Sequence, residues 1–280
     1  AYEMLRSLVG SEMCIRDSAS AGIPTSFYDF DAMTQGLRRG DLIAFAGRPS
    51  MGKTSLALQF ARNVAGQNLP VCFFGFDLSK EELAYRILGM EVGIEIGRIR
   101  TGRFTSEEWQ LVYEKNTKLE SLPIFIEDKR RISIDEIKDR CRDISMKNNE
   151  KSLGLIVIDS YQLMEYSNVD DYQAQLERNT KELKNLAKEL NVPVLITAPI
   201  SGRVEERENC RPMLSDIRDS DVLEDYGDII VMLYRDEYYD PETEDRGIAE
   251  LIVTTHRNGP VGTVKMLFEP QFGRYRNLAA

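Results

Sequence analysis

The sequence reads FAGRPSMGKTS from Phe45 to Ser55, and residues 47–54 of this stretch fit the pattern GxxxxGK[ST] of a phosphate-binding loop. The apolar run LIAFA precedes the loop, and apolar residues follow it at helical spacing, which predicts a strand before it and a helix after it. In that arrangement, successive backbone N–H groups and the positive end of the helix bind phosphate oxygens. A chance glycine-rich turn is the alternative, and the flanking strand and helix favour phosphate binding over it.

The loop supplies the predicted contacts to a nucleotide. The Lys53 ammonium group reaches the β and γ phosphate oxygens, and the Thr54 hydroxyl is placed to ligate Mg²⁺. The predicted nucleotide-binding residues form one continuous segment: Gly47, Arg48, Pro49, Ser50, Met51, Gly52, Lys53, Thr54 and Ser55.

Two carboxylates at the ends of predicted strands complete the candidate site. Asp159 ends the apolar run LGLIVID, and ligands of open α/β sheets bind at the carboxyl ends of strands, so we predict a role on the magnesium side. The alternative for Asp159 is a turn-forming aspartate that caps a helix. Asp77 follows the run VCFFGF and is the candidate base that orients the attacking water. An Asx-turn, or a cap of the helix near KEEL, is an equally good interpretation of Asp77.

The composition limits the kinds of protein that this chain can be. No apolar run approaches the roughly 20 residues of a membrane span, so we expect no membrane insertion. The four cysteines, Cys14, Cys72, Cys141 and Cys210, are widely separated and His256 is the only histidine, which argues against a Cys/His metal site and a disulfide framework. We therefore expect a reducing, cytoplasmic setting. The formal net charge of −10 restricts any contact with nucleic acid to a few loops or a pore lining.

Short β-branched or aromatic runs alternate with longer helical patterns from Ile23 onwards, which predicts an α/β fold with a mostly parallel sheet flanked by helices. Strands are predicted at residues 42–46, 71–76, 123–127, 153–159 and 192–197, and helices at residues 54–65, 133–147 and 172–191. After Asp228, three closely spaced runs predict a β-rich C-terminal edge. No linker divides the chain, so we predict one domain over residues 21–280. Residues 1–20 are predicted to be a non-native or disordered leader, because SLVGSEMCIRDS resembles a translated sequencing-adapter read-through.

Four stretches carry a family resemblance. They are GIPTSFYDFDAMTQGLRRGDLIAFAGRPSMGKTS, RPMLSDIRDSD, LYRDEYY and HRNGPVGTVK. Together they resemble the ATPase domain of the replicative DNA helicase of bacteria, the DnaB type, particularly its cyanobacterial-like versions, from about Ile23 to Leu278. The resemblance implies a RecA-like P-loop core, ATP and Mg²⁺ as cofactors, and a homo-hexameric ring around single-stranded DNA. It also implies ATP-driven 5′→3′ unwinding during DNA replication, with a primase and a helicase loader as further partners.

The resemblance assigns roles to individual residues. Lys53 and Thr54 match the family's phosphate and magnesium positions, and Asp159 matches its second metal-side acid. Arg257 in HRNGP matches the arginine finger, which reaches a neighbouring subunit's γ-phosphate. From the sequence alone, Arg257 can equally be an arginine that anchors the turn at Asn-Gly-Pro.

A loop that contacts the DNA backbone in this family corresponds to Arg218 and Asp219. The family pattern RESG reads RDSD in this chain, so Asp221 replaces a glycine and adds negative charge next to a polyanion.

Three further positions depart from the family pattern. SLEM is replaced by GFDL, so Asp77 stands in place of the catalytic glutamate and its carboxylate is one methylene shorter. SQLSR is replaced by APISG, which puts Pro199 where a glutamine senses the γ-phosphate, and proline can donate no hydrogen bond there. Thr255 replaces a lysine that usually accompanies the arginine finger.

Two functions of different classes follow from these residues. The first is the ATP-binding motor domain of a replicative DNA helicase. The alternative is a hydrolysis-impaired, nucleotide-binding structural or regulatory ring subunit of the same family, which the substitutions motivate. A recombinase-type RecA-like ATPase is disfavoured, because RPSMGKT and HRNGP together point to the helicase family.

Overall fold

A nine-stranded sheet organises the part of the chain that the structure, a computed structural model, describes: residues 22–147, 152–164, 172–218 and 220–278. The predicted leader at residues 1–20 lies outside these ranges. The strands are β1 (Leu42–Gly47), β2 (Val71–Gly75), β3 (Ile124–Glu127), β4 (Leu155–Asp159), β5 (Val194–Pro199), β6 (Ile229–Tyr234), β7 (Ile248–His256), β8 (Gly262–Glu269) and β9 (Arg274–Asn277). Their order across the sheet is β3-β2-β4-β5-β1-β6-β7-β8-β9.

The sheet has a parallel part and an antiparallel part. Strands β1 to β6 pair with one another only in parallel, whereas β7, β8 and β9 extend the sheet from β6 by antiparallel pairing. This arrangement confirms the predicted α/β class with a mostly parallel sheet and a β-rich C-terminal edge. Strand β9 was not predicted, because its sequence RYRN contains a single apolar residue.

Eight α-helices in the described ranges connect and cover the strands. They are α1 (Tyr28–Thr34), α2 (Lys53–Ala65), α3 (Lys80–Val92), α4 (Ile96–Thr101), α5 (Ser106–Glu120), α6 (Ile134–Lys147), α7 (Tyr172–Glu189) and α8 (Ser220–Tyr226). Helix α6 begins after the predicted capping box: the Glu136 amide donates to Ser133 Oγ and the Ser133 amide donates to Glu136 Oε2, both at 3.2 Å.

Each face of the sheet has its own hydrophobic core. Side chains alternate along a strand, so Ile43 and Phe45 of β1 join one core while Leu42 and Ala44 join the other. Helices α1, α2 and α3 cover the first core, and α6, α7 and α8 cover the second. Within the described ranges, every helix is too short or too polar to span a bilayer.

The parallel strands bring their carboxyl ends to one edge of the sheet. Gly47 at the end of β1 lies beside Pro199 at the end of β5, and Gly75 of β2 lies beside Asp159 of β4. The candidate site therefore lies along this edge, which we call the carboxyl edge.

Candidate functional site

The phosphate-binding loop joins β1 to α2 at the carboxyl edge. Ser50 and Gly52 both have positive φ, 64° and 96°, and α2 begins immediately afterwards at Lys53. A Cβ atom on Gly52 would lie only 2.3 Å from the hydroxyl oxygen of Tyr275, so both the backbone angle and the close packing require glycine. The sequence pattern therefore has a direct conformational cause at this position.

Lys53 turns its amine into the loop. Its Nζ donates to the carbonyl oxygens of Gly47 and Arg48 at 2.8 and 2.9 Å. Burial lowers the pKa of the Lys53 amine to about 8, and the negative charges of Asp159 and Asp77 oppose that shift. The amine thus lies in the concavity of the loop and remains mostly charged at neutral pH.

Asp159 is a buried carboxylate that faces the start of α2. It accepts a hydrogen bond from the Thr197 hydroxyl group, and the Thr54 hydroxyl group lies close enough to act on its pKa. Burial raises the pKa of the Asp159 carboxyl, while these two hydroxyl groups and the charge of Lys53 act in the opposite direction. The helical turn at Tyr161–Leu163 that follows has Ser160 at its N-cap and no side-chain cap hydrogen bond, so Asp159 is not a helix cap.

Asp77 lies two residues beyond β2 and is exposed. It is close enough to Lys53 and Asp159 to act electrostatically on the pKa of both groups. Helix α3 is capped by Ser79, whose Oγ accepts from the Glu82 amide at 3.2 Å. Asp77 is therefore not the helix cap that one interpretation of the sequence allowed, and its side chain is open to water at the carboxyl edge.

Pro199 ends β5 and is exposed beside Gly47, the first residue of the loop. It has neither a backbone N–H nor a side-chain donor. This part of the edge consequently offers no hydrogen-bond donor from residue 199 to a bound phosphate.

Arg257 lies at the opposite edge of the sheet. Strand β7 runs antiparallel to β6, so His256 pairs with Ile229 at the amino end of the parallel strands. The Arg257 Nε donates to the carbonyl oxygen of Gly227 at 2.9 Å, and its Nη2 donates to those of Glu224, at 3.4 Å, and Asp225. In the isolated chain the guanidinium group thus caps the C-terminal end of α8, where carbonyl groups lack helical partners.

The predicted DNA-contact loop lies near the carboxyl edge. Ile217 forms a bridge with Ile200, which follows β5, and the exposed Arg218 stacks over the Tyr172 ring at 5.0 Å. Asp219 lies outside the described residues. Asp221 is exposed in the first turn of α8, where a negative charge interacts favourably with the helix dipole.

Thr255 lies near the end of β7, opposite Ile230, and Arg257 follows this strand directly. Thr255 carries no positive charge, and a hydroxyl group on this short side chain reaches less far from the strand than the lysine that it replaces in the family pattern.

Three residues of the site were not predicted from the sequence. Thr197 was assigned only to a strand, although its hydroxyl contacts Asp159. Tyr275 and Arg235 contact the backbone carbonyl oxygens of the loop from behind. Arg235 lies in the motif LYRDEYY, which was the available signal for it, whereas nothing in the pattern around Tyr275 marks it.

The oxygen ligands at the carboxyl edge suit Mg²⁺. No group of three or more His, Cys, Asp or Glu side chains that could hold a metal occurs among the described residues. Magnesium requires few protein ligands because it retains water and binds phosphate oxygens. The adjacent Thr54 hydroxyl and Asp159 carboxylate therefore fit the part of a magnesium site that a P-loop protein supplies.

The model of the DnaB-like helicase C terminal domain family matches residues 22–277. The chain belongs to this family. It is 42% identical over 260 residues to the replicative DNA helicase DnaC of Bacillus subtilis, covering 92% of this chain and 57% of the relative. It is 40% identical over 266 residues to DnaB of Geobacillus stearothermophilus, covering 94% of this chain and 58% of the relative. A cyanobacterial DnaB, from Nostoc, is 44% identical over 216 residues, covering 77% of this chain and 24% of the relative.

Solved structures agree with this assignment. The ATPase domain of a protein named G40P has a TM-score of 0.91 and 35% identity, with 100% of this chain and 99% of that chain covered. A DnaB-like replicative helicase, studied with its interactions with primase, has a TM-score of 0.90 and 36% identity, with 99% and 65% covered. The chain spans 57% and 58% of the length of the Bacillus and Geobacillus relatives and 24% of that of the Nostoc relative. Membership of this helicase family implies that the domain binds a nucleotide.

Proposed function

We propose that this DnaB-like domain is the ATP-hydrolysing motor of a replicative DNA helicase, which translocates 5′→3′ on single-stranded DNA and unwinds duplexes during replication. The observation that carries the proposal is the convergence of Lys53, Asp159 and Asp77 at the carboxyl edge. A loop, a buried acid and a water-accessible acid at adjacent strand ends are the parts that phosphoryl transfer to water needs.

Lys53 is preorganised for the phosphate chain. Its amine is held in the loop by two carbonyl oxygens, so binding a polyphosphate exchanges those weak acceptors for charged ones. The ligand then stabilises the positive charge of the Lys53 amine, which burial makes unfavourable. The negative charge that develops on the phosphate during hydrolysis lies next to this amine.

Thr54 and Asp159 would hold Mg²⁺ through a hydroxyl and a carboxylate oxygen, with Thr197 orienting the carboxylate. The bound ion would supply neutralisation of charge on the phosphate oxygens. Asp77 is the residue that accepts a proton from the attacking water, because it is exposed and lies near both Lys53 and Asp159.

Arg257 is proposed to act on the nucleotide of a neighbouring subunit. Arg257 lies at the amino ends of the parallel strands, whereas the chain's own phosphate-binding loop follows the carboxyl end of β1. The five residue steps of β1, at roughly 3.3 Å each, separate the two by about 16 Å. A head-to-tail interface repeated around a homo-hexameric ring would bring this edge to the next subunit's carboxyl edge. To reach a phosphate, the guanidinium group must leave the carbonyl oxygens at the end of α8.

Single-stranded DNA is the proposed polymer substrate, with Arg218 and Asp219 in the contact loop. The net charge of −10 makes a local contact, such as a ring channel, more favourable than a broad basic surface. A primase and a helicase loader are proposed as partners because the family resemblance implies them, and one structural neighbour was studied with its interactions with primase. The free thiols of Cys72, Cys141 and Cys210 support a reducing, cytoplasmic location.

The proposal is tested by ATP hydrolysis with and without single-stranded DNA, in a preparation that sedimentation has established to form rings. We expect turnover that DNA stimulates and that Lys53→Ala abolishes. Turnover no higher than that of the Lys53→Ala rings, in the presence of DNA and Mg²⁺, would overturn the proposal.

A further inference from the structure

Two side chains, Tyr275 in β9 and Arg235 directly after β6, contact the phosphate-binding loop from the side away from the ligand. The Tyr275 hydroxyl lies 3.2 Å from the Met51 carbonyl oxygen and 3.3 Å from that of Gly52, and shares its proton between them. The Arg235 Nη1 donates to the Ser50 carbonyl oxygen at 3.1 Å. Three consecutive carbonyl groups of the loop are therefore held by residues distant in sequence.

The two side chains are themselves fixed by a common ring. Tyr275 is 1% exposed, and its ring packs on Phe268 with a centroid separation of 4.4 Å. The Arg235 guanidinium group stacks over the same Phe268 ring at 4.7 Å and pairs with Glu237. Burial raises the pKa of the Tyr275 hydroxyl well above its usual range, so it remains a donor at all physiological pH values.

Strand β9, which carries Tyr275, is attached to the helix that follows the loop. The Gln59 side chain of α2 donates to the Tyr275 carbonyl oxygen and accepts from the Tyr275 amide, both at 2.7 Å. These two hydrogen bonds fix the position of Tyr275 along the axis of α2. The hydroxyl then reaches back to the residues at which α2 begins.

The contacts determine where the loop amides point. A trans peptide unit is planar, so its carbonyl oxygen and the N–H of the next residue point in opposite directions. Holding the Met51 carbonyl group from behind turns the Gly52 N–H group towards the ligand side. The Gly52 carbonyl group, which also accepts the first α2 hydrogen bond from the Leu56 amide at 2.9 Å, turns the Lys53 N–H group the same way. Holding the Ser50 carbonyl group stabilises a residue whose φ of 64° is unfavourable for a side chain other than glycine.

We propose that Tyr275 and Arg235 are positioning residues that aim the phosphate-binding amides of the loop, so that both side chains contribute to nucleotide affinity from behind the loop. This inference rests on the proposed function for the identity of the ligand. It deepens that function by adding two residues, outside the loop, that set the geometry of the phosphate site.

The test compares two tyrosine-to-phenylalanine variants. Tyr275→Phe removes the hydroxyl and keeps the ring on Phe268, whereas Tyr234→Phe removes another buried hydroxyl, one that contacts Asn209 and Asp236 away from the loop. We expect Tyr275→Phe to raise the Kd for MgADP and the KM for MgATP about tenfold, since one buried hydrogen bond is lost, with a smaller change in kcat. Tyr234→Phe should leave both constants within about twofold of the unmodified chain.

A second measurement does not depend on nucleotide. Hydrogen exchange of the Met51 and Leu56 amides, which donate to the Arg48 and Gly52 carbonyl oxygens at 3.3 and 2.9 Å in the ligand-free chain, should be faster in Tyr275→Phe than in Tyr234→Phe, because the loop backbone is released. If the unmodified chain binds MgADP and Tyr275→Phe changes neither its Kd nor the exchange of these amides, this inference is wrong while the proposed function stands. If the unmodified chain binds no nucleotide, both proposals fail.

Discussion

Raising the pH from 7 to 9 should weaken nucleotide binding about tenfold through a single residue, Lys53. Burial holds the pKa of its amine at about 8 in the ligand-free chain. The protonated fraction of the amine therefore falls from about 0.9 at pH 7 to about 0.1 at pH 9. A bound polyphosphate favours the protonated form and raises this pKa, so affinity is retained below pH 8 and lost as the pH rises through it.

The assay is isothermal titration of MgADP into the chain at several pH values. At pH 8 half of the Lys53 amines are neutral, so binding should take up about 0.5 proton, which is measured from the heat in buffers of different ionisation enthalpy. Lys53→Arg is the matched variant, because a guanidinium group stays charged throughout this range. The affinity of Lys53→Arg for MgADP should vary little with pH. Taking the ratio of the two chains' affinities at each pH cancels the effect of titrating the nucleotide itself.

An equal pH dependence for the unmodified chain and Lys53→Arg would refute this reasoning. It would mean that Lys53 is charged throughout the range, and hence that burial against the loop carbonyl oxygens does not depress its pKa.

Two further predictions concern turnover and the resting position of Arg257. Replacing Asp77 by Glu and Pro199 by Gln in one variant should raise kcat by up to about 100-fold. The longer carboxylate of residue 77 moves on the order of 1 Å towards the phosphate, and glutamine at residue 199 restores a hydrogen-bond donor beside Gly47. Equal kcat values for the variant and the unmodified chain would contradict this prediction. In the ligand-free chain, Arg257→Ala should speed hydrogen exchange in the last turn of α8 about fivefold, because the guanidinium group caps three carbonyl oxygens there. The exchange rate in Arg257→Lys should lie between those of Arg257→Ala and the unmodified chain. Unchanged exchange in both variants would show that the cap adds no stability.

Much of the parallel core could be predicted from the sequence, because its strands are buried on both faces and are therefore nearly continuous apolar runs. Asp159 could be found for the same reason, since it ends such a run. The loop pattern carries its own conformational requirements, most directly the positive φ of Gly52. These features are local, so sequence reasoning reached them without knowledge of the fold.

Residues that act through distant contacts could not be found in this way. Tyr275 lies 224 residues from Met51 in sequence and sits on a short, polar strand whose existence depends on pairing with β8. Thr197 belongs to a buried strand, and only the adjacency of β4 and β5 shows that its hydroxyl meets Asp159. The cap of α3 was ambiguous because both Asp77 and Ser79 are good capping residues, and the register of the helix decides for Ser79.

The central claim is that two subunits together form each hydrolysis site, and mixing two inactive variants tests it most directly. Lys53→Ala cannot hold the phosphate chain, and Arg257→Ala cannot supply the guanidinium group to a neighbour. Rings assembled from equal amounts of both should regain DNA-stimulated ATP hydrolysis, to about a quarter of the unmodified rate if the interfaces act independently, because one interface in four joins an intact Lys53 to an intact Arg257. Mixed rings that remain as inactive as either variant alone, beside active unmodified rings, would contradict the account.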